Sequence, residues 1–368
     1  MATVYLHIGA PKTATSTLQT VFSKNYKKLL KNGVLYPRSA RHGDAHHLLI
    51  CDLIEKHQDH RMADFWYGDK ARGEAWEELR ADIEAHKDKI QSVVLSSELF
   101  FGQAMNIDAM HKDILTHLHG HEIKIVVYLR RQDQMYSSFF NQDVKGVRQW
   151  AHSAYQFYDT HQVFEHNYLK SLRIWSDSFG KDNVLIRPYE SQQWPNGDIV
   201  QDFCALLNTI PLKSGRVSSN SGFGVHQLYL KRCLNRVGFD KGDNEAVVEQ
   251  VMLLCPEEPS PQCSYVKKRR YRQLRRDWVH ANVRLEEEFL DDKTLFLQEI
   301  PRADQVVVYE TDKQVIAKFL LVMVREIADK RLGEHSGLFA KAALLILAEQ
   351  DLWSILEPAA RSALLDSI

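Results

Sequence analysis

The run Val4-Tyr5-Leu6-His7-Ile8-Gly9-Ala10-Pro11-Lys12-Thr13-Ala14-Thr15-Ser16-Thr17-Leu18-Gln19 decides how this chain is read. Its first five residues are almost continuously apolar, the pattern of a strand buried on both faces. Gly9 and Pro11 punctuate the run. A helix is then predicted to open on Thr15, Ser16 and Thr17, with Leu18, Val21, Phe22, Leu29 and Leu30 on one face. A strand, a tight loop with Lys12 and a hydroxyl-rich helix start together make an anion cradle. The first N–H groups of a helix lack internal partners, and the helix dipole is positive at that end.

The spacing refuses the nucleoside-triphosphate loop GxxxxGK[ST]. That motif needs a second Gly at position 14 and Lys at 15, where this chain has Ala14 and Thr15. Lys12 comes earlier, inside the loop.

Outward from this run, strands and helices alternate. Ser92-Val93-Val94-Leu95-Ser96-Ser97 reads as a second buried strand ending at Glu98, and Ile123–Leu129 as a third that stops at Arg130-Arg131. Val184-Leu185-Ile186-Arg187 is a fourth. Helices are predicted over 48–57, 74–90, 107–118, 132–144, 155–179 and 199–208. Such alternation implies an α/β fold with a parallel sheet covered on both faces, whose ligands sit beyond the C-terminal strand ends. Gly9 to Lys12, Glu98 and Arg130 all fall at those ends. From 223 onward the pattern is helical, over 223–236, 244–254, 264–290, 312–332 and 336–366, with no further strand. The expected organisation is an α/β core over 1–222 and a helical extension over 223–368 packed on it.

Composition sets limits. The 368 residues carry 44% hydrophobic and 26% charged side chains, the balance of a globular protein large enough for a sizeable core. A net charge of −1 gives no global attraction to nucleic acid or membrane. The five cysteines are odd in number and lack CxxC spacing, which points to free thiols in a reducing compartment. No basic leader precedes the first strand and no apolar run reaches membrane-spanning length, so a cytoplasmic location is expected.

The segment Pro11-Lys12-Thr13-Ala14-Thr15-Ser16-Thr17 resembles the 5′-phosphosulfate loop of sulfotransferases that use 3′-phosphoadenylyl sulfate (PAPS), and especially the HIGxPKTGTTxLQ opening of bacterial members. Ala14 stands where that family usually has Gly, and the loop is read as tolerating the methyl group. Leu129–Ser138 resembles the family's 3′-phosphate segment, in which an arginine at a strand end and a serine eight positions on bind that phosphate. Arg130 and Ser138 match, whereas Arg131 and Gln132 replace a frequent Asn-Pro. Tyr168, Leu172, Trp175 and Phe179 fit the family's Y-x3-L-x2-W-x3-F segment, and Lys213–Arg216 with Ser219–Ser221 fits a basic loop that closes over the nucleotide.

The resemblance implies a P-loop-NTPase-like sheet and sulfuryl transfer from PAPS to a hydroxyl. The product nucleotide would be adenosine 3′,5′-bisphosphate (PAP), and no metal would be needed. It also implies nucleotide contacts from Pro11, Lys12, Thr13, Ala14, Thr15, Ser16, Thr17, Arg130, Ser138, Tyr168 and Arg216, with Lys12 acting on the leaving phosphate. A saccharide acceptor is expected by the same likeness, and no nucleic-acid partner.

Chemistry agrees with that assignment. Moving a sulfuryl group between two oxygens is mostly positioning and charge stabilisation, and a fixed ammonium favours the departing phosphate. A general base must take the acceptor proton. Glu98, at a strand end, and His46 or His47, in the loop after the first helix, are the candidates. Two other classes share these features: a nucleotide-dependent kinase, which would need a differently placed lysine and magnesium ligands, and a non-catalytic nucleotide-binding protein.

Three further features have ordinary explanations. His117, His119 and His121 straddle a glycine turn without ligand spacing. The basic run Lys267–Arg276 suits a polyanion but equally a solvated helix face. The apolar stripe 338–356 could meet a membrane surface or a second copy, although packing back on the chain is its commoner fate.

Overall fold

The computed structural model describes residues 1–102, 108–160, 168–215, 222–258, 263–308 and 311–368. The chain divides into two units, each assembled from three segments. The first takes Met1–Met135, Phe164–Ser218 and Arg276–Ile300; the second takes Tyr136–Val163, Ser219–Arg275 and Pro301–Ile368.

The first unit is an α/β layer structure. Strands β1 (Thr3–His7), β2 (Val34–Leu35), β3 (Ser92–Ser96), β4 (Glu122–Leu129) and β5 (Val184–Pro188) form a five-stranded sheet in the order β2-β3-β1-β4-β5. Every pairing is parallel, with Leu6 opposite Leu95 on one side and Ile125 on the other. Alternation along the strands feeds two cores. Val4, Leu6, Val93, Leu95, Ile125 and Val127 pack beneath helices His47–His57, Ala75–His86, Asp108–His117 and Tyr168–Phe179. Val94, Val126 and Tyr128 point the other way, onto Leu18 and Phe22 of helix Thr15–Lys24 and Val200 and Phe203 of helix Ile199–Leu206. Because β3 and β2 lie on one side of β1 and β4 and β5 on the other, the connections diverge at the C-terminal end of β1, the position where such sheets place ligands.

The second unit is helical. Helices Val225–Val237, Ser336–Gln350, Lys313–Ala328 and Pro358–Leu365 pack on one another. Phe339, Ala340, Ala342, Ala343, Ile346 and Leu347 of the apolar stripe are buried in that packing. Contrary to the expectation of helix alone after 223, Cys263–Ser264 and Val307–Val308 pair in parallel as strands β6 and β7.

The predicted helix 336–366 is two pieces: it breaks after Gln350, where Asp351 turns left-handed at φ 49° before Pro358 starts a new helix. Of the predicted helix 155–179, helices Ala154–Thr160 and Tyr168–Phe179 are described, and 161–167 lie outside the described residues. The first helix also ends early, at Asn25, and restarts as Tyr26–Lys31. Among the described residues no helix is long and apolar enough to cross a membrane. Cys51, Cys204, Cys233 and Cys255 are buried free thiols.

Candidate functional site

The loop after β1 is unusual in its backbone. Gly9, Lys12 and Ala14 all take positive φ, at 52°, 65° and 57°. Gly9 is required twice over: its φ favours glycine, and a β-carbon there would lie 3.0 Å from Thr15 Oγ1 and 3.3 Å from the Glu98 Cα. Ala14, at ψ 29°, is fully left-handed and serves as N-cap of helix Thr15–Lys24 without a side-chain cap. The position needs the conformation that glycine gives most readily, so tolerating the methyl group carries strain. Thr13 Oγ1 donates to the Ala10 carbonyl at 2.7 Å and is buried, so its hydroxyl braces the loop from within. Thr15 is buried, Ser16 is exposed, and Pro11, Lys12 and Thr17 are half-buried. No acidic residue stands in the first turn of the helix, leaving its N-terminus open to an anion.

Arg130 ties the end of β4 to this loop. Its Nη1 donates to the Lys12 carbonyl at 3.1 Å, and its guanidinium lies 5.3 Å from the centre of the Tyr189 ring. Its Nε is buried with no hydrogen-bond partner among the described residues. Burial lowers its pKa, with Tyr189 and Tyr168 opposing. A guanidinium so placed gains from an anion that completes its hydrogen bonds. The Tyr168 hydroxyl donates to the Arg130 carbonyl at 2.7 Å, so this tyrosine positions the strand end. Arg131 is buried and paired with Asp133 at 2.8 Å, a structural role. Ser138 lies on helix Gln132–Lys145, in the part that belongs to the second unit. Arg216 and Ser219–Ser221 lie outside the described residues.

Beside the loop, β3 ends in Ser96, Ser97 and Glu98. Glu98 is about two-fifths exposed, and its Oε2 accepts from Gln19 Nε2 at 3.1 Å. Gln19 also reaches Ser96 Oγ at 3.3 Å, and Ser96 Oγ bonds His7 Nδ1 at 2.9 Å. The candidate bases now separate. His46 is wholly buried, its Nδ1 accepting from the Ser96 N–H at 3.1 Å and its Nε2 donating to the Pro37 carbonyl at 3.0 Å. With both ring nitrogens committed to backbone, and burial first among the causes that push its pKa down to about 3, His46 holds the loop to β3 and has no lone pair for a substrate. His47 is the histidine beside the carboxylate: Nε2 lies 3.9 Å from Glu98 Oε1, and Nδ1 bonds Ser97 Oγ at 2.8 Å. Burial lowers the His47 pKa, while Glu98 opposes the shift.

The sequence did not single out Gln19, Ser96 and His7 as a network. Their partners are 77 to 89 residues apart, a separation that no local pattern reveals. Elsewhere, His117 stacks on Trp76 and His121 Nδ1 meets the Ala2 carbonyl at 3.2 Å. In the Lys267–Arg276 run, Arg270 pairs with Asp159 at 2.6 Å and Tyr271 and Leu274 are buried, whereas Lys268, Arg269 and Arg272 are exposed.

No family model matches the chain, and no solved structure matches it. An uncharacterized protein of Archaeoglobus fulgidus is 23% identical over 255 residues, covering 68% of this chain and 67% of that relative.

Proposed function

We propose that this protein is a PAPS-dependent sulfotransferase with a P-loop-like nucleotide site on its α/β unit. The observation that carries the reading is the join between two anion-seeking groups. Lys12 sits in a left-handed loop at an uncapped helix N-terminus, and Arg130, with a buried unpartnered Nε, bonds the carbonyl of that same Lys12. One nucleotide carrying a 5′-phosphosulfate and a 3′-phosphate would use both. The early lysine and the strand order around β1 agree with the likeness in the sequence.

In this reading the Ser16 and Thr17 hydroxyls and the first N–H groups of helix Thr15–Lys24 hold the phosphosulfate, and Arg130 holds the 3′-phosphate. The donor supplies a sulfuryl group whose bond to the phosphate oxygen breaks as the acceptor oxygen bonds to sulfur. Lys12 offsets the negative charge gathering on the phosphate. Glu98 takes the acceptor proton, held in place by the Gln19 carboxamide and flanked by His47.

Calorimetry tests the nucleotide half directly. PAP is expected to bind without magnesium, and Arg130→Ala to weaken it at least tenfold. Binding of ATP alone, and only with magnesium, would overturn the assignment in favour of a kinase.

A further inference from the structure

Glu98 and His47 lie at one end of an aromatic surface that the proposed transfer leaves unused. Trp66 lies 4.7 Å from Phe65 with ring planes 33° apart, so these two make the face. His47 lies 5.2 Å from Trp66, and His42 5.2 Å from Trp66 and 6.0 Å from Phe65, both edge to face at its rim. Phe65 is 63% exposed, more than any other phenylalanine, tyrosine or tryptophan among the described residues. The surface is built rigidly. Buried Asp52 of helix His47–His57 accepts from the Tyr67 hydroxyl and from the N–H groups of Gly73 and Ala75, each at 2.9 Å. Glu55 of the same helix accepts from the Met62 N–H at 2.8 Å and pairs with Arg72. The helix that presents His47 therefore also fixes the turn that presents Phe65 and Trp66.

Its rim is polar. His42 Nδ1 donates to the Trp66 carbonyl at 2.9 Å, which leaves Nε2 as a polar atom at the rim. The Trp66 indole N–H makes no hydrogen bond among the described residues and is not buried. The Asp64 carboxylate is largely exposed between Arg61 and Arg72. An aromatic face edged by donors and acceptors suits a ligand that is apolar on its ring faces and hydroxylated around its edge. A pyranose ring has that character. A phenol would offer the rim a single hydroxyl and an alkyl chain none.

We propose that Phe65, Trp66 and His42 form the acceptor platform, on which a saccharide ring stacks so that a hydroxyl of the same or the adjoining sugar reaches Glu98. This inference rests on the proposed transfer at Glu98, and its test keeps the two apart. The full chain, with saturating PAP, would be titrated with neutral and uronate-containing oligosaccharides, and with phenol and octanol, using saturation-transfer NMR. Oligosaccharide ring protons are expected to receive saturation. Phe65→Ala should weaken that binding at least tenfold while calorimetric affinity for PAP stays unchanged. Phe65→Leu, which keeps apolar volume without an aromatic face, should weaken it similarly. Trp66→Phe, which keeps an aromatic ring but loses the indole N–H and part of the ring area, should cost less. The platform is overturned if no oligosaccharide binds, if only phenol and octanol bind, or if the Phe65 variants bind as the native chain does. A chain that binds oligosaccharide through Phe65 but does not bind PAP keeps the platform and overturns the transfer.

Discussion

Ala14 and Lys12 show how much of the site is decided by single backbone angles. A β-carbon in the left-handed region costs about 1–2 kcal/mol, which the loop bears at Ala14. Ala14→Gly removes that strain but adds freedom to the unfolded chain, so a net gain of about 1 kcal/mol is expected. Urea unfolding reads it as a higher midpoint at unchanged slope, and a lower midpoint would contradict the strained geometry. Lys12→Ala addresses chemistry instead. The Arg130 bond uses the Lys12 carbonyl, which the substitution retains, so the loop should persist. On the proposed mechanism, sulfate transfer from labelled donor should then fall by about 10²–10³-fold, the usual effect of deleting one charge-stabilising donor. Turnover equal to the native chain would remove Lys12 from the mechanism. The course of this loop was legible because strand end, loop and helix start are contiguous in the chain. His46 and His47 were not separable in sequence: adjacent side chains leave a helix start in different directions, and only the fold places one against the Pro37 carbonyl and the other against Glu98.

Elements hold these residues in register, and the join at Asp202 is the clearest case. This buried carboxylate on helix Ile199–Leu206 accepts from the Tyr128 hydroxyl of β4 at 2.6 Å and pairs with Arg187 of β5. The arrangement raises the Tyr128 pKa far above its ordinary value, burial leading and the Asp202 charge adding to it. Tyr128 stands two residues before Arg130, so the pairing fixes the strand end that presents the guanidinium. Asp202→Ala leaves a buried hydroxyl and a guanidinium without their partner and is expected to cost about 3–5 kcal/mol. Asp202→Asn keeps an acceptor for Tyr128 and should cost less; equal losses in thermal unfolding would assign the effect to packing. Strands β1, β3 and β4 were readable because burial on both faces makes them near-continuous apolar runs. Strand β2 was not, since two residues carry no periodicity, and β6 and β7 escaped for the same reason. The overlong helix 336–366 failed at its interruption, where an apolar period continues across the break that left-handed Asp351 makes.

At the scale of the whole molecule, chain order ceased to guide. Each unit draws on three separated segments, and a pattern read along the chain cannot reveal that residues 276–300 belong with the sheet. Folding also traps ionisable groups, and their effect is shared by the entire fold. Burial pushes the pKa of His7 and of His46 down to about 3 from an unfolded value near 6.5. Between those values the unfolded chain binds a proton at each site and the folded chain does not. Stability therefore rises with pH across that window: it is complete above about 6.5 and is lost as pH falls toward 3. At about 1.4 kcal/mol per pH unit per group, lowering the pH from 6.5 to 5 should cost about 2 kcal/mol for each histidine. The pair then removes about 4 kcal/mol, a large part of an ordinary folding free energy of about 5–15 kcal/mol. Urea titrations from pH 7 to pH 5 should show that loss as a steadily falling midpoint. His46→Asn, destabilised at neutral pH by its altered hydrogen bonds to Pro37 and Ser96, should fall less steeply by about one proton. A midpoint independent of pH in the native chain would mean that both imidazoles take up protons in the folded state, and that neither is sealed beneath the loop as its hydrogen bonds require.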